Sequence, residues 1–393
     1  MEIPAPDFNL ETTLDSGQVF HWEKVGKGFV GTIGDLPIYI EQRGDVLKVR
    51  VRKGELDCLK QSSCGGAREE GRMVGRTVAH YFALDHPLAE ICASFPNDPI
   101  MIAARNFCRG LRIIRQPKWE CLATFICSSM KQVAHIRQIS KALRERFGIA
   151  RKIDNYVVHT FPSATRLAKS FERELRKCAL GYRAKNLLAT ARLVSSGAID
   201  LEASSALSDV DLRKKLCRLP GVGAKIANCV MLFAYERLRA FPIDVWIERV
   251  LREKYFPRTK KVTAQRLREF CETHFGEHGG YAQQYLFHQA RIASRNSGAP
   301  RDFSSPLHCG RNDKRGDARI TSRNSGTPRD SSTALRSDRN DKRKMIKKDA
   351  RMNKAQRSRK LPACIFVCAQ AGGVRHFQRA GCQHPWGEIM FKP

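Results

Sequence analysis

The stretch Leu219-Pro220-Gly221-Val222-Gly223-Ala224-Lys225, followed nineteen residues after the lysine by Asp244 in Phe241-Pro242-Ile243-Asp244-Val245-Trp246, decides how the chain is read. Ahead of it, Ser208 to Cys217 carries the marks of a helix: a Ser/Asp start suited to capping, then Val210, Leu212 and Leu216 at apolar spacing. Pro220 and Gly221 end that helix, and Gly223 lets the chain turn again within three residues. The spacing predicts a second helix from about Ala224 to Tyr235, with Ile226, Val230, Leu232 and Phe233 toward a core. The unit is a helix, a glycine hairpin and a helix.

Such a hairpin has a chemical use. Gly221 and Gly223 lack Cβ atoms, so a bulky anion can approach their backbone, and the second helix offers unpaired N–H groups and a positive dipole end. Lys225 lies in the first turn of that helix. There, partly desolvated near the positive end, its ammonium is expected to lose its proton more readily than in water. A neutral amine can attack an anomeric carbon and form a covalent iminium adduct. Asp244 sits where an N-cap belongs, ahead of Val245 to Leu251, and a carboxylate facing the lysine can also stabilise positive charge on a sugar ring. An ordinary αα-turn and a simple cap account for the same glycines and aspartate without chemistry. The lysine is what separates the two readings.

Leu219 to Tyr255 resembles the helix-hairpin-helix DNA glycosylase superfamily, marked by L-P-G-V-G-x-K followed by V/I-D on the next helix. The resemblance implies that Lys225 attacks C1′ of the damaged nucleotide and that Asp244 assists. It further implies the bifunctional branch, which expels the base and then cleaves the strand by β-elimination.

Residues 8–52 read as β. Gly17 to Trp22, Gly28 to Ile33, Pro37 to Ile40 and Val46 to Val51 alternate apolar and polar residues between short turns, as in an antiparallel meander. Residues 53–76, rich in Gly, Ser and charge, read as a loop, and 77–95 as helix broken at Asp85-His86-Pro87. Within this region Ser16-Gly17-Gln18-x-Phe20-x-Trp22 resembles the N-terminal domain of 8-oxoguanine DNA glycosylases. The resemblance implies that the Gly17 carbonyl accepts a hydrogen bond from N7–H of 8-oxoguanine. Undamaged guanine has a bare N7 acceptor, which would leave both groups unpaired.

From 98 onward the pattern is helical: Pro99 to Cys108, Glu120 to Ser129 and Gln132 to Phe147, then a helix begun by Phe161-Pro162-Ser163, and later Ala264 to His274 and Tyr281 to Ile292. Gln283 and Phe287 are four apart and share a helix face. By the resemblance Gln283 binds the Watson–Crick edge of the everted base, Phe287 stacks on it, and Cys229 lies on its other side. Leu180-Gly181-Tyr182-Arg183-Ala184-Lys185 resembles the family's L-G-Y-R-A-x, which implies that Tyr182 wedges into the duplex and Arg183 contacts the opposite base. After Cys127-Ser128-Ser129 this chain departs from the vertebrate-type enzymes, which carry three asparagines and then an arginine. Met130, Lys131, Gln132 and His135 stand there instead. Methionine can wedge but cannot read a base edge, and histidine is a shorter, weaker donor than arginine, so a relaxed preference for the opposite base is expected.

The 393 residues carry a formal charge of +31, which points to a polyanionic partner. Residues 294–393 hold 23 Lys/Arg against 8 Asp/Glu, or +15, leaving +16 on the rest, so the folded part is basic in its own right. Double-stranded DNA is the expected partner, bound by a monomer and released by salt. The 14 cysteines fit no C-x6-C-x2-C-x5-C iron–sulfur loop, and Cys364 with Cys368 offers too few ligands for a metal. No metal or organic cofactor is expected, except that hairpin carbonyls could hold a monovalent cation. With neither a leader-like N-terminus nor a membrane-length apolar run, a cytoplasmic protein is expected, at the nucleoid if the source is bacterial. In the tail, 294–302 recurs as 322–330, and Arg311-Asn312-Asp313-Lys314-Arg315 recurs at 339–343. With few apolar residues and a basic run from Lys342 to Lys360, 294–393 reads as disordered.

The expectation is an α+β protein: an N-terminal twisted antiparallel sheet domain (1–108), an all-α helix-hairpin-helix core (109–293) and a basic tail (294–393). Its expected activity is removal of 8-oxoguanine with abasic-site cleavage. Two rivals stand beside it. One is a glycosylase for alkylated purines or oxidised pyrimidines, against which the S-G-Q-x-F-x-W segment argues. The other is a non-catalytic DNA-binding module, against which Lys225 with Asp244 argues.

Overall fold

The structure is a computed structural model and describes residues 1–52, 67–259 and 261–296. The tail expectation beyond residue 296 and residues 53–66 of the 53–76 loop expectation therefore lie outside the described residues. Five strands, β1 (Glu2–Pro4), β2 (Glu23–Val25), β3 (Gly28–Ile33), β4 (Leu36–Arg43) and β5 (Val46–Arg50), form an antiparallel sheet in the order β1-β5-β4-β3-β2. Tight turns set its register, pairing Ile33 with Leu36 and Arg43 with Val46. One face buries Ile38, Ile40, Leu47 and Val49 against α2 (Ala67–Tyr81), through Val74, Val78 and Tyr81. That spacing of i, i+4, i+7 starts the helix earlier than the sequence reading did. Residues 67–76 belong to it and not to the loop.

A second correction lies upstream. Leu10–Asp15 is a short helix, α1, capped by the Asn9 side chain accepting from Thr12 N, and it buries Leu10, Thr13 and Leu14. Gly17 to Trp22, expected as a strand, belongs to no strand. Its alternation is real but has another cause. Val19 packs into the sheet core and Phe20 into the helical core, so successive side chains point into two different hydrophobic masses. Residues 111–116 do the same, with Ile113 in the helical core and Ile114 in the sheet core.

The remaining elements are helical: α3 (Leu88–Ala93), α4 (Pro99–Phe107), α5 (Lys118–Ser128), α6 (Val133–Phe147), α7 (Ala164–Ala168), α8 (Glu172–Leu175), α9 (Arg183–Ser195), α10 (Asp209–Cys217), α11 (Ala224–Tyr235), α12 (Val245–Val250), α13 (Ala264–His274) and α14 (Gly279–Asn296). Between α6 and α7 a hairpin of β6 (Ala150–Ile153) and β7 (Tyr156–His159) turns at Asp154, whose φ is +49°. The helix from Phe161-Pro162-Ser163 starts about two residues later than expected, at Ala164, with Ser163 as its N-cap and Pro162 outside it. Leu88, Ile91, Met101 and Ala104 from α3 and α4 join Leu122, Phe125, Val230, Leu232, Tyr281 and Tyr285 in one core. The described residues all fall in one compact unit.

Candidate active site

The hairpin forms as its residues require. Val222 N donates to Leu219 O at 3.1 Å, and Gly221 takes φ +81°, a conformation costly for any side chain. A Cβ there would lie 2.8 Å from Asn186, and Thr190 Oγ1 donates to Pro220 O at 3.2 Å, so α9 supports the turn from below. Gly223 is different. It caps α11 with φ −101°, which any residue adopts, and a Cβ there would meet nothing within 4 Å. The turn rests on Gly221 alone, contrary to the two-glycine expectation. Gly223 is exposed, and no packing in the fold requires a glycine there.

Lys225, in the first turn of α11, is partly buried, with Nζ 5.3 Å from the centre of the Phe125 ring and beside Cys229 one turn on. Burial opposes its charge, but Cys229 and Asp244 outweigh that, and the ammonium is held above its ordinary pKa. The expectation of a readily lost proton is thereby reversed. The desolvation that would lower the pKa is present, and Cys229 together with Asp244 overrides it. Burial in turn pushes the Asp244 carboxyl up against the pull of Lys225, and pushes the Cys229 thiol up likewise. Asp244 is the N-cap of α12, with Oδ1 accepting from Ile247 N at 2.9 Å. Asn228, between Lys225 and Cys229, donates from Nδ2 to Phe241 O at 3.1 Å and so ties the Asp244 loop to α11.

The base-recognition residues come from the two ends of the fold. Gly17 has φ +87°, and a Cβ there would lie 3.0 Å from Phe287 Cε1 and 3.6 Å from Val133 Cγ2. Gly17 and Phe287 are therefore in contact across some 270 residues of chain. Gln283, one turn before Phe287 on α14, is 4% exposed, and its Oε1 has no hydrogen-bond partner. A buried, unpaired carbonyl costs about 1–3 kcal/mol, so a ligand donor has a ready acceptor there. Gln18, fully buried, donates from Nε2 to Arg112 O (2.8 Å) and accepts from Ile114 N (2.7 Å), which fixes the Gly17 turn to the segment between the cores.

The expected DNA-facing residues divide. Met130 is 84% exposed with φ +52°, Tyr182 is 56% exposed, and Tyr182 OH lies 4.0 Å from Met130 Sδ. His135 is exposed in the first turn of α6. Arg183, expected to face the opposite base, is buried. Its Nε donates to Ser129 O at 2.8 Å, Nη2 donates to the same oxygen, and its guanidinium stacks 4.3 Å from the centre of the Tyr182 ring. It holds the ledge that carries Met130 and Tyr182. Sequence reasoning also missed Asp15, Arg137, Gln284 and Arg291, which surround the Gly17 turn and carry no local signal beyond the place of Asp15 beside Ser16. Among the described residues no group of three or more His, Cys, Asp or Glu could hold a metal, and no helix is long and apolar enough to cross a membrane.

Two family models match in tandem: the 8-oxoguanine DNA glycosylase N-terminal domain over residues 1–122, and the HhH-GPD superfamily base excision DNA repair protein over 123–273. The chain is 30% identical over 276 residues to the N-glycosylase/DNA lyase of Saccharomyces cerevisiae, covering 65% of this chain and 70% of that protein. It is 29% identical over 319 residues to the N-glycosylase/DNA lyase OGG1 of Arabidopsis thaliana, covering 78% and 84%. The crystal structure of the Clostridium acetobutylicum 8-oxoguanine glycosylase/lyase, in complex with DNA containing cytosine opposite 8-oxoG, superposes with a TM-score of 0.66 at 26% identity, over 75% of this chain and 98% of that one. Family models, sequence identity and fold agree, and the chain belongs to the 8-oxoguanine-type N-glycosylase/DNA lyase family of the HhH-GPD base-excision repair superfamily.

Proposed function

We propose that this protein removes 8-oxoguanine from duplex DNA and cleaves the resulting abasic site through a Schiff base on Lys225, with Asp244 as its acid–base partner. The observation that carries the reading is Lys225, Cys229 and Asp244 clustered under an exposed glycine hairpin, in a chain whose Gly17 touches Phe287. Lys225 enters the reaction protonated and must first lose a proton. Asp244, whose raised pKa makes it a stronger base than a free carboxylate, is suited to accept it. The Nζ lone pair then forms a bond to C1′ as the bond from C1′ to the base breaks, and the proton taken up by Asp244 passes to the departing base, which restores a carboxylate beside the cationic sugar adduct. Opening of the ring gives an iminium. Loss of a C2′ proton then expels the 3′ phosphate. No step is routed through a metal or organic cofactor.

In this reading the lesion lies between Cys229 and Phe287, with Gly17 reading N7–H and the unpaired Gln283 Oε1 accepting from the Watson–Crick edge. Met130 and Tyr182 fill the stack, and the backbone at Gly221 and Gly223 grips phosphate. The enzyme acts as a monomer in the cytoplasm. The direct test is borohydride trapping on 8-oxoguanine duplex. A covalent complex forms with the native protein, and its persistence in Lys225→Gln would refute the assignment of the nucleophile.

A further inference from the structure

One cluster near the pocket takes no part in that chemistry. Asp15, at the end of α1, stands among three guanidinium groups. Arg137 Nη2 on α6 donates to its Oδ1 at 2.8 Å, Arg291 Nη2 on α14 donates to Oδ2 at 3.0 Å and also to the Asp15 carbonyl, and Arg295 lies 3.9 Å away. Arg291 is 4% exposed, yet its Nε and Nη1 have no partners. His288, pulled down to about 4 by burial and by Arg291, is neutral, and its Nδ1 lies 3.2 Å from Arg291 Nη2. Next in the chain, Ser16 O accepts from Gln284 Nε2 on α14 at 2.9 Å.

A half-satisfied buried arginine is a poor way to stabilise a fold. An apolar side chain of similar volume would pack there at less cost, so the arginine is better explained by the geometry it imposes. The geometry at stake is adjacent. Asp15 and Ser16 immediately precede Gly17, and Gln18 immediately follows it, already fixed to Arg112 and Ile114. α14, which supplies Arg291 and Gln284, also supplies Gln283 and Phe287 to the pocket. α6, which supplies Arg137, supplies Val133 against Gly17.

We propose that Asp15, Arg137 and Arg291 form a positioning cluster that fixes the Gly17 backbone against Phe287, and so governs lesion recognition without touching DNA bases or the sugar chemistry. The inference rests on the function proposed above. It separates two steps which that reading joins. Excision needs the base pocket, whereas cleavage at a preformed abasic site needs only Lys225, Asp244 and the hairpin.

The test compares single-turnover rates on 8-oxoguanine duplex and on preformed abasic duplex, for the full chain and for Asp15→Asn, Arg291→Met, Arg137→Gln and Arg137→Lys. Excision should fall roughly tenfold or more in Asp15→Asn and Arg291→Met, the scale of a misplacement near 1 Å, while abasic cleavage stays within about twofold. Arg137→Gln should lose excision to a smaller degree, and Arg137→Lys should restore it. Excision unchanged in the folded variants, or both rates falling by one factor, overturns the inference. If the Asp15 and Arg291 variants unfold, Arg137→Gln decides, because that side chain is 42% exposed and tolerates replacement. A native protein that cleaves abasic DNA but excises no 8-oxoguanine would instead defeat the substrate assignment.

Discussion

The half of the site that meets the sugar and the half that meets the base are built in opposite ways. Lys225, Cys229 and Asp244 lie within 20 residues of one another on α11 and the N-cap of α12, joined by the Asn228 bond to Phe241. Gly17, Gln283 and Phe287 come from opposite ends of the described chain and meet because α14 runs past the turn after α1. The chemistry is thus a local property of one supersecondary unit, whereas recognition is a property of the whole tertiary structure. Two activities in one chain can therefore be lost separately.

The variants that test this division run from large effects to small. Lys225→Gln should end both activities, since both pass through the same nitrogen. Gly17→Ala should strike only recognition. An alanine at φ +87° costs about 1–2 kcal/mol, and its Cβ would press on Phe287 at 3.0 Å. Excision of 8-oxoguanine should drop roughly 10- to 100-fold while abasic cleavage persists, and an equal loss of both would break the comparison. Next comes the opposite base. With Met130 apolar and Arg183 turned inward on Ser129, excision opposite C and opposite A should differ by less than about a hundredfold, or about 3 kcal/mol, in single-turnover assays. The smallest effect is a shift in pH dependence. Asp244 helps hold the Lys225 ammonium above its ordinary pKa while burial pulls it down, so Asp244→Asn leaves burial less opposed and lowers that pKa. Imine trapping on preformed abasic DNA should then move to lower pH, and a shift to higher pH would show that the carboxylate does not govern the lysine's proton.

The same division explains what could be read from the sequence. The hairpin, its lysine, the capping role of Asp244 and the span of α11 rest on neighbours in the chain, where glycine, proline and helical spacing act directly. The charge state of Lys225 is not legible in the sequence, because a helix end and burial can be inferred there while the approach of Cys229 and of an acid nineteen residues on cannot. Gly17 to Trp22 alternates like a strand, but its apolar residues divide between two cores, Phe20 in the helical one and Val19 and Trp22 in that of the sheet, and sequence periodicity does not distinguish two cores from two faces of a sheet. Arg183 illustrates another limit. Its residue type fits base contact, but its direction was set by a carbonyl at Ser129, more than 50 residues away. The Asp15 cluster, assembled from α1, α6 and α14, had no sequence signature at all.

The two strips of chain that straddle the cores, 17–22 and 111–116, carry a further consequence. Each is wedged between the sheet and the helices, so loosening the sheet would pull on the lesion-sensing turn before it disturbed the hairpin. A defect buried under β4 or α2, remote from any DNA, would first produce an enzyme that still nicks abasic strands but overlooks the oxidised base. Damage to the scaffold would then look like a change of substrate.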